Sequence, residues 1–135
     1  MLSIILTSLS GIITFILLDY IWLARIAKDF YLSNLASHVT ITNGSLVPYL
    51  PAVPLVYLVG IGAVWVFILS WVTDLRQAAL YGAALGFFMY AFYDLTNIAT
   101  LRDYSWSLTI VDIIWGTILV SIVTTVMFYI KTLLA

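Results

Sequence analysis

The sequence predicts an all-α fold: a polytopic membrane protein whose single transmembrane domain, residues 1–135, is a bundle of four transmembrane helices, with one interfacial loop or helix between spans one and two. Three observations predict it. Hydrophobic residues make up 64% of the chain and charged residues 8%, with a mean hydropathy of +1.17. A soluble domain carries roughly 25% charged residues, so this chain has too little charge to cover a soluble surface. Four apolar stretches, at about 3–25, 48–72, 78–100 and 107–130, each reach the roughly 20 residues that a helix needs to cross the hydrocarbon core. The breaks between them are short and polar, with one exception.

Span one has no basic segment ahead of it, exceeds a signal-peptide core in length and lacks a small-residue cleavage site, so it reads as a retained span. Residues 26–47 form the exception, the only sizeable loop. Its first half, Ile26 to His38, reads as a helix lying at the interface, and Asn43-Gly44-Ser45 marks a turn. Span two opens on Pro48, Pro51 and Pro54, a spacing that predicts an irregular start. The segment Trp71 to Gln77 breaks spans two and three, with Trp65, Trp71 and Tyr81 placed as interface aromatics. Span three carries Ala78, Gly82 and Gly86 at four-residue spacing, a seam of small residues for close helix packing. Arg102-Asp103-Tyr104-Ser105 turns the chain into span four, and no β-structure is expected. Four spans put both termini on one side. Arg25, Lys28 and Arg102 then lie on the long-loop side and Arg76 and Lys131 on the other, a slight lean toward a cytoplasmic loop side.

Composition also excludes. A net charge of −1 offers no basic footprint for nucleic acid. The absence of cysteine excludes disulfides, thiol catalysis and iron–sulfur clusters. With no glutamate and a single histidine, His38, a zinc site has almost no ligands to draw on. Neither Lys28 nor Lys131 lies mid-span, which argues against a buried Schiff base. No cofactor is expected.

Chemistry concentrates in three aspartates inside the spans: Asp19, Asp94 and Asp112. An ionisable group there is costly, and by default marks a functional site or a tightly paired structural one. Asp19 lies six residues before Arg25, Asp112 six after Trp106, and Asp94 about as far from the end of span three. At 1.5 Å rise per residue all three sit about 9 Å below the long-loop interface, so packed helices would form one acidic pocket open to that side. Asp19 and Trp22 share a helix face, as do Asp112 and Trp115, and an indole N–H there can donate to a carboxylate. Tyr90, Asp94 and Asn97 form a continuous face on span three. Thr96, Thr100 and Thr109 add hydroxyls near the same level, and Arg102 and Arg25 are the nearest compensating cations. The competing reading is a structural network of interhelical hydrogen bonds. His38, in the loop, reads as solvated, and the arginines as snorkelling to the interface.

The run Tyr93-Asp94-Leu95-Thr96-Asn97-Ile98-Ala99-Thr100-Leu101 resembles the hallmark of the bacterial membrane-protein family catalogued as domain of unknown function 2177. Asp19-x-x-Trp22-Leu23, Ala27-Lys28-Asp29-Phe30-Tyr31 and Val111-Asp112-x-x-Trp115-Gly116-Thr117 are similar to its pattern, in the right order, so the resemblance spans nearly the whole chain. The Asn43-Gly44-Ser45 loop is more polar than that pattern. The resemblance implies a multi-pass protein of the bacterial inner membrane and no assigned activity.

Function is therefore read from the acids. The first expectation is a small integral membrane protein that binds or transports a cation, proton or amphipathic small molecule. Its ligand-binding residues would be Asp19, Trp22, Tyr90, Tyr93, Asp94, Thr96, Asn97, Arg102, Asp112 and Trp115. Four spans are few for that task, so a homodimer within membrane lipid is expected. The second is a lipid-modifying enzyme whose carboxylates hold a divalent metal. No nucleophile–base pair supports it, and the balance leans away from an enzyme. The third is a structural or accessory subunit.

Overall fold

The computed structural model describes residues 1–135. Helix α1 (Leu2–Ile21) continues through a π-helical turn, Trp22–Ile26. A short helix α2 (Lys28–Leu35) follows, then strands β1 (Ile41–Thr42) and β2 (Ser45–Leu46). Helix α3 (Val53–Val64) also ends in a π-helical turn, Trp65–Leu69. Two long helices complete the chain, α4 (Leu75–Thr100) and α5 (Trp106–Leu133). By length and composition three helices can cross a membrane: Leu2–Ile26, Leu75–Thr100 and Trp106–Leu133. The apolar helix Val53–Leu69 is shorter.

Proline chemistry explains that shorter helix. The second apolar stretch begins at residue 48 in the sequence, but its helix begins at Val53. Pro48 and Pro51 donate no N–H and bias the residues before them away from helical dihedrals. Pro54 falls in the first turn, where a missing N–H costs nothing. The expectation of no β-structure is also corrected. β1 and β2 pair antiparallel, Ile41 with Leu46 and Thr42 with Ser45. Asn43 (φ 50°) and Gly44 (φ 68°) make the two-residue turn. Positive φ at both positions matches the twist of a tight hairpin, which is why Asn-Gly closes it.

Capping fixes where the long helices start. The Asp74 carboxylate accepts from the Gln77 backbone N–H at 2.8 Å, and the Ser105 hydroxyl accepts from Leu108 at 3.3 Å. Helix α5 is central, packing on both α1 and α4. The small-residue seam of α4 makes the second contact close. A Cβ on Gly82 would lie 2.8 Å from Thr124 Cβ and 2.9 Å from the Val120 carbonyl oxygen, and one on Gly86 would fall onto the Gly116 carbonyl oxygen. Only glycine allows backbones that near. Gly116 in turn seats the Tyr90 ring.

Buried apolar residues gather away from the α2 end: Phe15, Ile61, Val64, Ile68, Leu119, Val123 and Met127 are among them. Trp65 packs on this core and donates to Ser8 Oγ at 2.9 Å. A second cluster of Ala27, Tyr31 and Leu108 lies under α2. Only 24 of 135 residues are buried, so most apolar side chains face outward, as a lipid solvent permits and water does not.

Candidate functional site

Between the α2 end of the bundle and that core lies a cavity of about 340 Å³. Helix α1 contributes Asp19, α4 contributes Tyr90, Tyr93 and Asn97, and α5 contributes Asp112 and Trp115. Tyr31 and Leu35 of α2, His38, and Leu46 of β2 line it from the loop side, and Tyr104 lines it from the α4–α5 turn. Asp94 does not line the cavity; it is fully buried and is tied to the cavity wall through Tyr104, which lines it.

Each carboxyl group meets a tyrosine. Tyr31 donates to Asp112 Oδ1, Tyr104 to Asp94 Oδ1 at 2.8 Å, and Tyr57 of α3 to Asp19 Oδ2 at 3.4 Å. The fold makes these bonds possible locally. Asp103 adopts φ 57°, a left-handed conformation that aspartate tolerates, and the chain turns so that Tyr104 reaches back ten residues to Asp94. Half of helix α2 is polar, yet Tyr31 is only 4% exposed, because its ring packs with Leu108 of α5. Burial, and then the charge of Asp112, push the Tyr31 phenol well above its ordinary range. Burial foremost, with Asp94 adding, does the same for Tyr104. Both stay protonated donors at neutral pH.

The tryptophans cross over. Trp115 Nε1 donates to Asp19 Oδ1 at 3.3 Å, and Trp22 Nε1 donates to the Tyr31 hydroxyl at 3.2 Å, which itself serves Asp112. The two indoles stack, centroids 4.5 Å apart and 4° from parallel. Each Asp-x-x-Trp copy thus serves the other copy's carboxylate, where the sequence suggested a partner on the same helix. Antiparallel α1 and α5 bring the motifs side by side, so the neighbouring helix is the nearer acceptor. The π-helical turn that begins at Trp22 sits at this point, a place where such turns re-aim side chains.

Two expected residues lie elsewhere. Thr96 is exposed and its hydroxyl donates to the Phe92 carbonyl of its own helix at 2.6 Å. Two residues from Asp94 on a helix, it faces the other way. Arg102 is exposed on the turn and does not line the cavity, and neither does Arg25. Trp22 stands behind the wall rather than in it. Tyr93 is 58% exposed and forms the rim. His38, expected in solvent, lines the cavity with Nε2 buried and unpartnered, its ring 5.9 Å from that of Tyr104. Tyr31, Tyr57 and Tyr104 were not singled out as site residues by sequence. Tyr31 falls within the family-like Ala27–Tyr31 stretch, the one signal that pointed to it.

Chemically the cavity is acceptor-rich and aromatic. No lysine or arginine lines it, so it lacks the fixed positive charge that a phosphate site ordinarily draws on. Asp94 Oδ2 and Asn97 Nδ2 are buried without a hydrogen-bond partner. No three His or Asp side chains converge in a way that would hold a metal ion. A family model described as "predicted membrane protein (DUF2177)" matches residues 4–129. No curated protein and no solved structure matches the chain.

Proposed function

The chain belongs to the DUF2177 family of predicted membrane proteins and is a multi-pass membrane protein; from that premise we propose that it is a four-span protein of the bacterial inner membrane that binds a cationic or amphipathic small molecule in its acidic cavity and works in the transport of that molecule. In this reading the shorter helix Val53–Leu69 completes the four spans, and a homodimer provides the remaining bulk. One observation carries the proposal: Asp19 and Asp112 line a cavity that no lysine or arginine enters, at a depth where a carboxylate without a counter-charge is costly. A bound cation relieves that cost. The metal-dependent enzyme fares worse, because the ligand cluster it needs is absent.

The test is a melting scan of the purified protein in nanodiscs, against alkali, divalent and tetramethylammonium ions, repeated for Asp112→Asn. A ligand present at a hundred times its Kd stabilises the folded form by about 2.7 kcal/mol. The proposal expects one monovalent or organic cation to raise the melting temperature of the wild type and not of the variant. If no cation shifts it, the proposal fails. A structural role is the second reading, supported by the tyrosine that meets every carboxyl group. That reading expects Asp112→Asn to change stability equally with and without cations.

A further inference from the structure

We propose that the ligand is a single-chain alkylamine, whose ammonium head lies with Asp19 and Asp112 in the aromatic cavity and whose hydrocarbon tail lies in the apolar groove between α1 and α3. The inference rests on the cavity reading above and names its substrate class.

The head follows from the cavity wall. Carboxylates call for a cation, and no lysine or arginine lines the cavity to neutralise them. Tyr90, Tyr93, Tyr104 and Trp115 share the wall with them, and aromatic rings attract an ammonium group electrostatically. A bare metal ion would use none of those rings and finds no converging ligand set. The wall therefore suits an organic cation.

The tail follows from a second cavity. A groove of about 290 Å³ runs between α1 and α3, lined by Ile12, Ile16, Val53, Pro54, Tyr57 and Leu58 and exposing no polar surface. Tyr57 joins the two spaces, since its ring lines the groove and its hydroxyl reaches Asp19. That bond, at 3.4 Å, is beyond the ordinary range for hydroxyl donors, so it yields readily to an ammonium. Depth agrees with the assignment. Ile16 and Ile12 lie three and seven residues from Asp19, about 5 and 10 Å farther from the interface at the helical rise. An amphiphile held this way keeps its head near the interface and its tail toward the bilayer centre, as it lies in lipid.

The experiment uses the full chain in nanodiscs with a decylamine carrying a photoreactive diazirine near the tail end. Labelled residues are mapped by mass spectrometry, with excess decylamine or decyl sulfate as competitor at equal bilayer mole fraction. The expected result is labelling concentrated at Ile12, Ile16 and Leu58, displaced by decylamine and not by decyl sulfate, and reduced about tenfold or more in Asp19→Asn, the size of a lost charge-assisted hydrogen bond. Ile16 faces outward, so Ile16→Trp should fold. It should cut groove labelling while leaving the response of the melting temperature to tetramethylammonium intact. Labelling spread equally over the outward face of α4, for example at Phe88, or displaced equally by decyl sulfate, overturns the alkylamine assignment. If tetramethylammonium still stabilises the wild type in that case, the cation cavity survives without the tail groove. If neither amine has any effect, both fail.

Discussion

Two glycines in helices should respond to the same substitution with opposite signs. A Cβ on Gly86 of α4 would land on the Gly116 carbonyl oxygen, with Val120 Cβ at 2.9 Å and the Gly116 carbonyl carbon at 3.0 Å. Backbone atoms cannot swing aside, so Gly86→Ala must push α4 off α5. Overpacking of that kind costs about 1–3 kcal/mol. Even after the full ~1 kcal/mol that the helix propensity of alanine returns, the net loss reaches about 2 kcal/mol at the top of that range. Gly62 of α3 has no neighbour within 4 Å of such a Cβ. Gly62→Ala therefore keeps only the propensity gain, up to about 1 kcal/mol. Reversible unfolding in mixed micelles, followed by far-ultraviolet circular dichroism, measures both. The packing argument is wrong if Gly86→Ala is as stable as the wild type, or if Gly62→Ala loses as much as Gly86→Ala does.

Tyr104→Phe removes the only hydrogen-bond donor to the buried Asp94 carboxyl group, and should cost about 1–3 kcal/mol in the same unfolding assay; combined with Asp94→Leu the loss should shrink, because an apolar pair leaves nothing unsatisfied. Alkaline titration followed by tyrosinate absorbance should show Tyr31 and Tyr104 silent near the ordinary value of about 10, so that Tyr31→Phe and Tyr104→Phe leave the absorbance gained there unchanged. The linked stability has a definite sign: the folded state keeps phenol protons that the unfolded state releases, so the contribution is whole below pH about 10 and falls as pH rises above it. Gly44→Ala, at φ 68° with open space around it, should strain the hairpin by about 1–2 kcal/mol and leave the melting of the helical bundle unchanged.

Much of the fold was legible because hydropathy and small-residue spacing are written along the chain. The seam of Ala78, Gly82 and Gly86 needed only the helical period to be seen, although its partner, α5, did not follow from it. The common level of Asp19, Asp94 and Asp112 came from rise per residue alone. The reading went astray where the answer depends on which helix is nearest. Three-residue spacing places Trp22 beside Asp19, yet rotation of the packed helices gives Asp19 the indole of Trp115. Tyr31, Tyr57 and Tyr104 lie on three different elements, and no local periodicity ties them to the acids. Asn43-Gly44 announced a turn, but strands of two residues are too short to show alternation. Thr96 was misplaced because closeness in sequence stood in for sharing a helix face.

The central claim is that an acidic cavity opens inside the bundle, and the chain's lack of cysteine makes it directly measurable. A single cysteine at Asn97→Cys can be reacted with two thiosulfonates, one carrying trimethylammonium and the other sulfonate, beside a Phe88→Cys control on the outward face of α4. The account predicts that the cationic reagent modifies position 97 about tenfold faster or more than the anionic one, that Asp19→Asn narrows the ratio, and that position 88 shows no such preference. Equal rates for the two reagents at position 97, or no reaction there with either, would contradict it.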